Sequence, residues 1–362
     1  MGDRITTEDL RKAGVAAGLV TVGVTTAEPF EEARQEIFER DRSGFRGGLG
    51  FTYKDPARST DIRSSFPWAR NLVVAGRAYL PDGGSPGTTT ETSGRIARFA
   101  VTDPYGPLRQ ALGEVAALLK SEGHRTEILI DDDRLVDRAA AVRAGVGWQG
   151  KSTNVLAPGV GPWMVLGSIV TDADLEPTSP MERGCGTCTA CIPACPTAAL
   201  TPDGRIDASR CLAALSQTAG VFPVEFREVM GDRVYGCDDC LTSCPPGERL
   251  MIRSSANRGR VALEDLLTSD DETLLGRFSH FYHPKRRPDT LRRNALIAAG
   301  NSADKDLVPL VAAYAGHPIP LLRLHAIWAL TRLGGPVAEA VLSHRRRRET
   351  DPLVIGDGFL AA

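Results

Sequence analysis

The 362-residue sequence contains no long apolar run and no excess of charge of either sign. No segment approaches the roughly 18–20 apolar residues that span a bilayer, and the N-terminus carries charged residues where a secretory signal has an apolar core. Lysine and arginine total 43 against 45 aspartate and glutamate, a net charge of −2. This balance gives no general reason to expect nucleic-acid binding, although a local basic patch stays open. We therefore expect a cytoplasmic protein without a membrane segment.

Cysteine is missing from most of the chain, and all eight cysteines lie between residues 185 and 244. Thiols stay reduced in the cytoplasm, so closely spaced cysteines there indicate metal binding rather than disulfides. The run from Cys185 to Cys195 has intervals of two, two and three residues and ends in Pro196, which is the spacing of bacterial ferredoxins. A second run, from Cys237 to Cys244, has three cysteines, and Cys211 lies between the runs.

Eight thiols are the number that two [4Fe–4S] clusters require. The predicted ligands are Cys185, Cys188, Cys191 and Cys244 for one cluster and Cys195, Cys211, Cys237 and Cys240 for the other. The alternative is a pair of structural zinc sites with four cysteines each. Zinc ligands usually come as separated CxxC pairs without a third cysteine at the next interval, so the spacing favours iron–sulfur clusters.

Composition and patterning predict three consecutive domains. Residues 1–176 alternate helical patterns with short β-rich runs, which predicts an α/β (α+β) domain. Residues 177–251 hold every cysteine and too few apolar residues for a core, so a bound inorganic centre has to organise them. Residues 252–362 are helical, and segments 291–298 and 322–329 align at an offset of 31 residues. This offset favours a HEAT-like repeat module, with two unrelated amphipathic helices as the alternative.

Residues Gly145–Ser152 match the Walker A pattern. A P-loop needs a strand before it and a helix after it, whereas residues 136–144 have a helical pattern and the segment that follows breaks at Pro158. We therefore disfavour nucleotide hydrolysis. The glycines still allow a large ligand to approach the backbone closely, and Lys151 is suited to meet a phosphate or an amide.

Three consecutive aspartates, Asp131, Asp132 and Asp133, follow a predicted strand and precede a predicted helix. Such residues cap helices. An aspartate at the carboxyl end of a strand is also placed to act as a general acid. The pattern alone leaves both roles open.

Several ordered motifs together resemble the epoxyqueuosine reductase family. They are Asp131, Asp137-Arg138-Ala139, Arg143-Ala144-Gly145-Val146-Gly147, Gly150-Lys151, Asn154, Trp163, Leu166-Gly167, the eight-cysteine segment, and residues 211–218 and 235–240. Residues 54–80 and the HEAT-like tail match more loosely. The resemblance implies a cobalamin-binding catalytic domain, a ferredoxin-like domain with two [4Fe–4S] clusters, and a helical module that binds tRNA.

The implied reaction is the reduction of epoxyqueuosine to queuosine in the anticodon loop of tRNA, the last step of queuosine synthesis. Electrons are expected to reach cobalamin through the two clusters, with Asp131 as the proton donor. The resemblance places Asp131, Gly150, Lys151, Val155, Ser216 and Gln217 at the cobalamin. The family usually has a small residue and glycine after the catalytic aspartate, whereas Asp132 and Asp133 follow it here. These two carboxylates are expected either to raise the pKa of Asp131 by like-charge repulsion or to disfavour an anionic tRNA.

The expected partners are tRNA and an external electron donor, and the expected state is a monomer. Basic residues suited to phosphates are Arg277, Lys285, Arg286, Arg287, Arg292, Arg293 and Arg345–Arg348. Phe281, Tyr282 and His283 are candidates for stacking on bases. Arg345–Arg348 can equally form a solvated helix face. Two alternative functions remain: a corrinoid and iron–sulfur reductase of a small molecule, and an iron–sulfur electron-transfer protein without corrin.

Overall fold

The structure is a computed structural model that describes residues 5–80, 92–254 and 259–359. The chain divides into two compact units, each made of separate stretches of sequence. The first unit comprises Met1–Gly84, Thr102–Ser209 and Asp239–Ala256, and the second comprises Ser85–Val101, Arg210–Asp238 and Asn257–Ala362. The three consecutive domains expected from the sequence remain a prediction.

The described residues form nine strands and sixteen α-helices. The strands are β1 Thr21–Thr26, β2 Asn71–Ala78, β3 Ser93–Ile96, β4 Thr126–Leu129, β5 Trp148–Gln149, β6 Val155–Leu156, β7 Met164–Thr171, β8 Arg233–Tyr235 and β9 Arg260–Ala262. The helices are α1 Thr7–Ala16, α2 Glu31–Arg42, α3 Pro56–Thr60, α4 Tyr105–Ser121, α5 Asp137–Arg143, α6 Cys191–Ala194, α7 Leu212–Gln217, α8 Val224–Met230, α9 Asp239–Thr242, α10 Glu248–Arg253, α11 Leu263–Thr268, α12 Asp271–Arg277, α13 Asp289–Asn301, α14 Val308–Tyr314, α15 Pro320–Leu333 and α16 Pro336–Arg348.

The first unit contains a four-stranded antiparallel sheet in the order β1-β2-β7-β4. Leu72 and Val74 of β2 belong to one apolar cluster and Val73 and Ala75 to another, because successive side chains of a strand point to opposite faces of the sheet. The apolar side of α4 packs with the second cluster, and the alanines of α5 pack with the first. Helices therefore cover both faces, and the turn from β4 into α5 lies at the edge of the sheet.

The second unit contains α13 and α15, which carry the two segments that align in sequence. These helices pack against each other, and Leu291, Leu296, Leu322 and Trp328 belong to their shared apolar core. A small sheet in the order β8-β3-β9 belongs to the same unit, with β3 parallel to β8 and antiparallel to β9. Among the described residues, no helix combines the length and apolar character needed to cross a membrane.

Candidate active site and cluster-binding segment

Asp131 lies just beyond β4 with a backbone φ of 50°, in the left-handed region that few non-glycine residues adopt. Solvent reaches its carboxylate, but many protein atoms surround it. Desolvation by these atoms is the main cause that raises the pKa of Asp131. The guanidinium of Arg138 lowers that pKa and the charge of Asp132 raises it, both to a smaller extent.

Arginines neutralise the two aspartates that follow. Arg134 donates hydrogen bonds to both carboxylate oxygens of Asp132, at 2.8 and 2.7 Å, and these bonds hold the pKa of Asp132 below its ordinary value. Arg58 lies 3.7 Å from the carboxylate of Asp133. Like-charge repulsion from Asp132 raises the pKa of Asp131 as expected, but desolvation is the larger cause.

Asp137, the first residue of α5, is a titratable group that the sequence reasoning did not single out as a site residue. Its Oδ1 atom is buried and has no hydrogen-bond partner in the described part of the chain. Burial raises the pKa of Asp137 well above its ordinary value, and the charges of Asp131 and Asp132 add to this effect. Burial therefore favours the neutral form of Asp137, which reduces the negative charge beside Asp131.

The Walker-like segment forms the turn of a β-hairpin. Gly145 follows α5 with a φ of 67°, and β5 and β6 then pair in antiparallel fashion. The N–H of Gly150 donates to the carbonyl of Asn154 at 2.9 Å. A loop between a helix and a hairpin is not the strand–loop–helix that cradles a nucleotide phosphate, which agrees with the sequence interpretation.

Arg138 connects Asp131 with the hairpin that carries Gly150, Lys151 and Val155. Arg138 donates from Nη1 to the carbonyl of Thr153 at 3.1 Å, and its charge acts on Asp131. The backbone N–H of Lys151 donates to Sγ of Cys185 at 3.4 Å. The hairpin turn thus contacts Cys185, the first residue of the cysteine run that ends at Cys195. No signal in the sequence indicated this contact.

Four cysteines meet in the first unit: Cys185, Cys188, Cys191 and Cys244. Burial raises the pKa of Cys244 to about 12, and the nearby thiols of the other three raise it further in their thiolate form. Four such thiolates repel one another unless cations offset their charge, as iron ions do in a cluster.

Zinc sites and four-iron clusters require different distances between their sulfur ligands. Within the described ranges, no three His, Cys, Asp or Glu side chains converge tightly enough to hold one metal ion. The sulfur ligands of a single tetrahedral zinc lie about 3.8 Å apart, because the Zn–S bond is about 2.3 Å. Each cysteine of a four-iron cluster binds a different iron, so its sulfur ligands lie farther apart.

The other four cysteines are divided between the units. Cys195 and Cys240 lie in the first unit, and the N–H of Ala199 donates to Sγ of Cys195 at 3.2 Å. Cys211, at the N-terminus of α7, and Cys237, two residues after β8, lie in the second unit.

Ser216 and Gln217 also lie in the second unit, in α7. The hydroxyl of Ser216 is buried and accepts a hydrogen bond from the N–H of Gly236 at 2.9 Å. The side-chain oxygen of Gln217 accepts one from the hydroxyl of Tyr235 at 3.2 Å. Both side chains therefore tie α7 to the end of β8.

Some residues expected to contact tRNA lie in the core instead. Arg292 and Arg293 are buried, so they are not available to phosphates, and Arg292 pairs with Asp271. Phe281 is buried and its ring stacks on Tyr235 with centroids 3.8 Å apart, whereas Tyr282 is 64% exposed. The sequence pattern did not indicate the burial of Arg292 and Arg293, because arginine side chains are normally exposed.

Comparison with family models identifies two regions. Residues 184–247 match a model described as a 4Fe-4S double cluster binding domain, and residues 285–358 match HEAT repeats. These matches confirm the prediction of two [4Fe–4S] clusters and of a HEAT-like tail. Together with the mixed α and β structure of the first unit, they confirm the predicted fold class.

Comparison with curated proteins finds epoxyqueuosine reductases. The chain is 30% identical to that of Bacillus cereus over 350 residues, which cover 93% of this chain and 92% of the relative. It is 31% identical to that of Bacillus subtilis over 357 residues, which cover 95% and 92%.

Solved structures give the same result. An epoxyqueuosine reductase bound to an epoxyqueuosine-modified tRNA-Tyr stem loop aligns with a TM-score of 0.88 at 30% identity, over 97% of this chain and 96% of the other. The enzyme of Streptococcus thermophilus aligns with a TM-score of 0.85 at 26% identity, over 98% and 97%.

Proposed function

The chain belongs to the epoxyqueuosine reductase family, and we propose that it reduces epoxyqueuosine to queuosine in a tRNA anticodon loop with Asp131 as the proton donor. A similar reductase has been solved with an epoxyqueuosine-modified tRNA stem loop over nearly the same length of chain. The observation that carries the assignment of Asp131 is its raised pKa at a carboxylate that solvent still reaches.

The proposed cofactors are two [4Fe–4S] clusters and cobalamin. When bound, the clusters pass single electrons and cobalamin supplies a strongly reducing cobalt centre. The residues present fit the clusters, because four thiols meet around Cys244 and N–H groups of Lys151 and Ala199 point at cysteine sulfurs. On the hairpin, the indole Nε1 of Trp148 is buried without a partner in the described residues, the kind of orphaned donor that a bound polar group satisfies.

The proposed ligand sets follow the cysteine runs. Cys185, Cys188, Cys191 and Cys244 hold one cluster, and Cys195, Cys211, Cys237 and Cys240 hold the other. The proposed cobalamin contacts are Asp131, Gly150, Lys151, Val155, Ser216 and Gln217. The proximity of the first four cysteines supports the first set, and the link from Arg138 to both Asp131 and the hairpin supports the contacts in the first unit.

The protein's own acid chemistry centres on Asp131. Converting an epoxide to an alkene with loss of water takes two electrons and two protons. Asp131 donates one of these protons at the departing oxygen, and its raised pKa favours the protonated form that can donate. After donation, the guanidinium of Arg138 stabilises the carboxylate. Burial disfavours the charged form of Asp137, and Arg134 pairs with Asp132, so both effects limit the negative charge beside Asp131.

The tRNA surface is proposed to include Tyr282 and the basic turn that follows it. Tyr282 is exposed, and Lys285 and Arg286 both adopt left-handed backbone conformations that turn the chain sharply. An exposed ring beside cations suits an unstacked base and its phosphate. The protein is further proposed to act in the cytoplasm as a monomer served by an external electron donor.

A paired substitution tests the assignment. Asp131→Asn is expected to abolish the reduction of epoxyqueuosine in tRNA while iron content stays at the wild-type level. Asp133→Asn, whose carboxylate is exposed and paired with Arg58, is the matched control and is expected to keep most activity. Retained activity in Asp131→Asn contradicts the proton-donor role.

The function itself is tested in cells and in purified protein. tRNA from a deletion strain is expected to accumulate epoxyqueuosine, and normal queuosine there contradicts the proposal. Anaerobically purified protein that takes up iron and sulfide but no corrinoid would instead support an electron-transfer protein.

A further inference from the structure

Helix α13 buries two strongly polar side chains next to each other, Arg293 and Asn294. Their exposed fractions are 1% and 0%. Arg293 donates from Nη1 to the carbonyls of Thr218 and Gly220 at 2.8 and 2.6 Å. It donates from Nη2 to the carbonyl of Leu215 at 2.7 Å and to Oδ1 of Asn294 at 2.8 Å. Its Nε donates to the same Oδ1 at 3.1 Å, so all five N–H groups of the guanidinium have acceptors.

The acceptors belong to one short segment, the end of α7 and the turn that follows it. The last carbonyls of any helix lack partners inside the helix. Arg293 satisfies those of Leu215 and Thr218, and the side-chain Nδ2 of Asn294 satisfies that of Ser216 at 2.8 Å. The two side chains of α13 therefore fix the position of the C-terminal end of α7.

Asn294 also holds a second segment. Its Nδ2 donates to the carbonyl of Val234 in β8 at 2.8 Å. The hydroxyl of Ser216 accepts from the N–H of Gly236, so α7 and the end of β8 are joined directly as well. Cys211 immediately precedes α7 and Cys237 immediately follows Gly236. One amide side chain thus sets the distance between the two segments that carry these cysteines.

This arrangement is costly as plain core packing. Arg293 has no carboxylate partner among the described residues, and burial lowers its pKa to about 9, with a further contribution from the nearby charge of Arg227. Well-packed apolar side chains usually stabilise a core as well as buried charges do. A guanidinium with five fixed donors at this position therefore indicates that the geometry of the C-terminal end of α7 is important.

We propose that Arg293 and Asn294 are positioning residues for the second cluster, which hold the segments of Cys211 and Cys237 at the separation that its iron atoms require. This inference rests on the proposed ligand set. It gives the HEAT-like tail a second role besides contact with tRNA, because the tail helix α13 would then be part of the support of a redox centre.

The test compares two asparagines of the same helix in the full-length protein. Asn294→Ala removes the bonds to Ser216 and Val234 and also the acceptor of two N–H groups of Arg293. Asn301→Ala is the matched control, because the side chain of Asn301 also donates to two backbone carbonyls, those of Arg227 and Gly231, away from the cysteine segments. After anaerobic reconstitution, Asn294→Ala is expected to bind about 4 iron atoms per chain instead of about 8. Asn301→Ala is expected to keep the wild-type content.

The electron paramagnetic resonance spectrum of the reduced protein gives a second readout. The wild type is expected to show the broadened signal of two interacting clusters, and Asn294→Ala the signal of one. Wild-type iron content and spectrum in Asn294→Ala overturn the proposal, and so does equal cluster loss in both variants, which would mark a merely structural role. A wild-type protein that binds no clusters contradicts the proposed function instead.

A milder variant covers the outcome in which Asn294→Ala does not fold. Arg293→Lys keeps the positive charge but supplies only three donors. Chelators are expected to remove the second cluster from Arg293→Lys about tenfold faster than from the wild type, because hydrogen bonds to a charged group are lost. An unchanged removal rate contradicts the positioning role.

Discussion

The backbone N–H of Lys151 points at the Sγ atom of Cys185 over 3.4 Å, while the ammonium of the same lysine donates to the carbonyl of Gly186 at 2.8 Å. Burial raises the pKa of the Cys191 thiol nearby, and the charge of Lys151 opposes that effect. One residue thus places a hydrogen bond and a positive charge on the loop of the first cluster.

Removing that charge is expected to lower the reduction potential of the first cluster. Lys151→Gln keeps the backbone N–H but loses the ammonium. The positive charge of that ammonium stabilises the reduced cluster, which carries one more electron. A charge interaction of about 1 kcal/mol at a partly exposed site corresponds to a shift of about 40 mV for one electron. An anaerobic redox titration measures it. Lys151→Arg keeps the charge and should titrate like the wild type, and equal potentials in all three proteins would rule out the effect.

The rate of epoxide reduction is expected to fall as pH rises through the pKa of Asp131, because only the protonated carboxyl donates. Arg138 favours the charged form of Asp131, so Arg138→Gln should raise that pKa and move the descending limb of the pH profile to higher pH. The pH dependence of single-turnover rates measures the shift. Arg138→Lys keeps the positive charge and is the control. If the rate of Arg138→Gln declines at the same pH as that of the wild type, Asp131 is excluded as the titrating group.

Asp137 makes stability depend on pH in a direction unusual for a carboxylate. Its pKa is higher in the folded protein than the ordinary value of about 3.9, so the folded state binds more protons between the two values. The contribution of Asp137 to the free energy of unfolding is complete below its ordinary pKa. It is lost as the pH rises through its pKa in the folded protein. Asp137→Asn should abolish this loss and raise the unfolding temperature at pH 8 relative to pH 5, whereas Asp133→Asn should leave the pH dependence unchanged.

Two glycines offer opposite stability tests. A Cβ on Gly147 would lie 2.3 Å from the carbonyl oxygen of Leu156, so Gly147→Ala should displace the hairpin and destabilise the protein by about 1–3 kcal/mol. A Cβ on Gly113, inside α4, would meet no atom within 4 Å. Gly113→Ala should therefore stabilise the helix by roughly 0.5–1 kcal/mol. Thermal unfolding distinguishes the two, and a stable Gly147→Ala would contradict the packing argument.

Two neighbouring aromatics should separate stability from tRNA binding. Phe281→Ala removes a buried ring and should cost about 3–5 kcal/mol of stability. Tyr282→Ala should leave the unfolding temperature unchanged and weaken binding of an epoxyqueuosine-modified stem loop by about 1–3 kcal/mol. Unchanged binding by Tyr282→Ala would remove this residue from the proposed tRNA surface.

The cysteine runs and the repeat offset were readable from the sequence because both depend on local spacing. The burial of Arg293 was not readable, because its acceptors lie about 75 positions earlier in the chain. Arg292 and Arg293 therefore looked like part of a surface patch, although the fold buries both. Asp131 was identified through the family resemblance. The rule that strand ends line a crevice applies to parallel sheets, whereas β4 belongs to an antiparallel sheet.

The interleaved units have a consequence for biosynthesis. Cys185, Cys188 and Cys191 leave the ribosome first, while Cys244 belongs to the last stretch of the first unit and follows segments of the second. At about 5–20 residues per second, the three early thiols wait roughly 3–12 s for the fourth. An iron–sulfur centre delivered during that interval would meet an incomplete ligand set. With the proposed ligand set, the first cluster can be completed only after residue 244 has been translated.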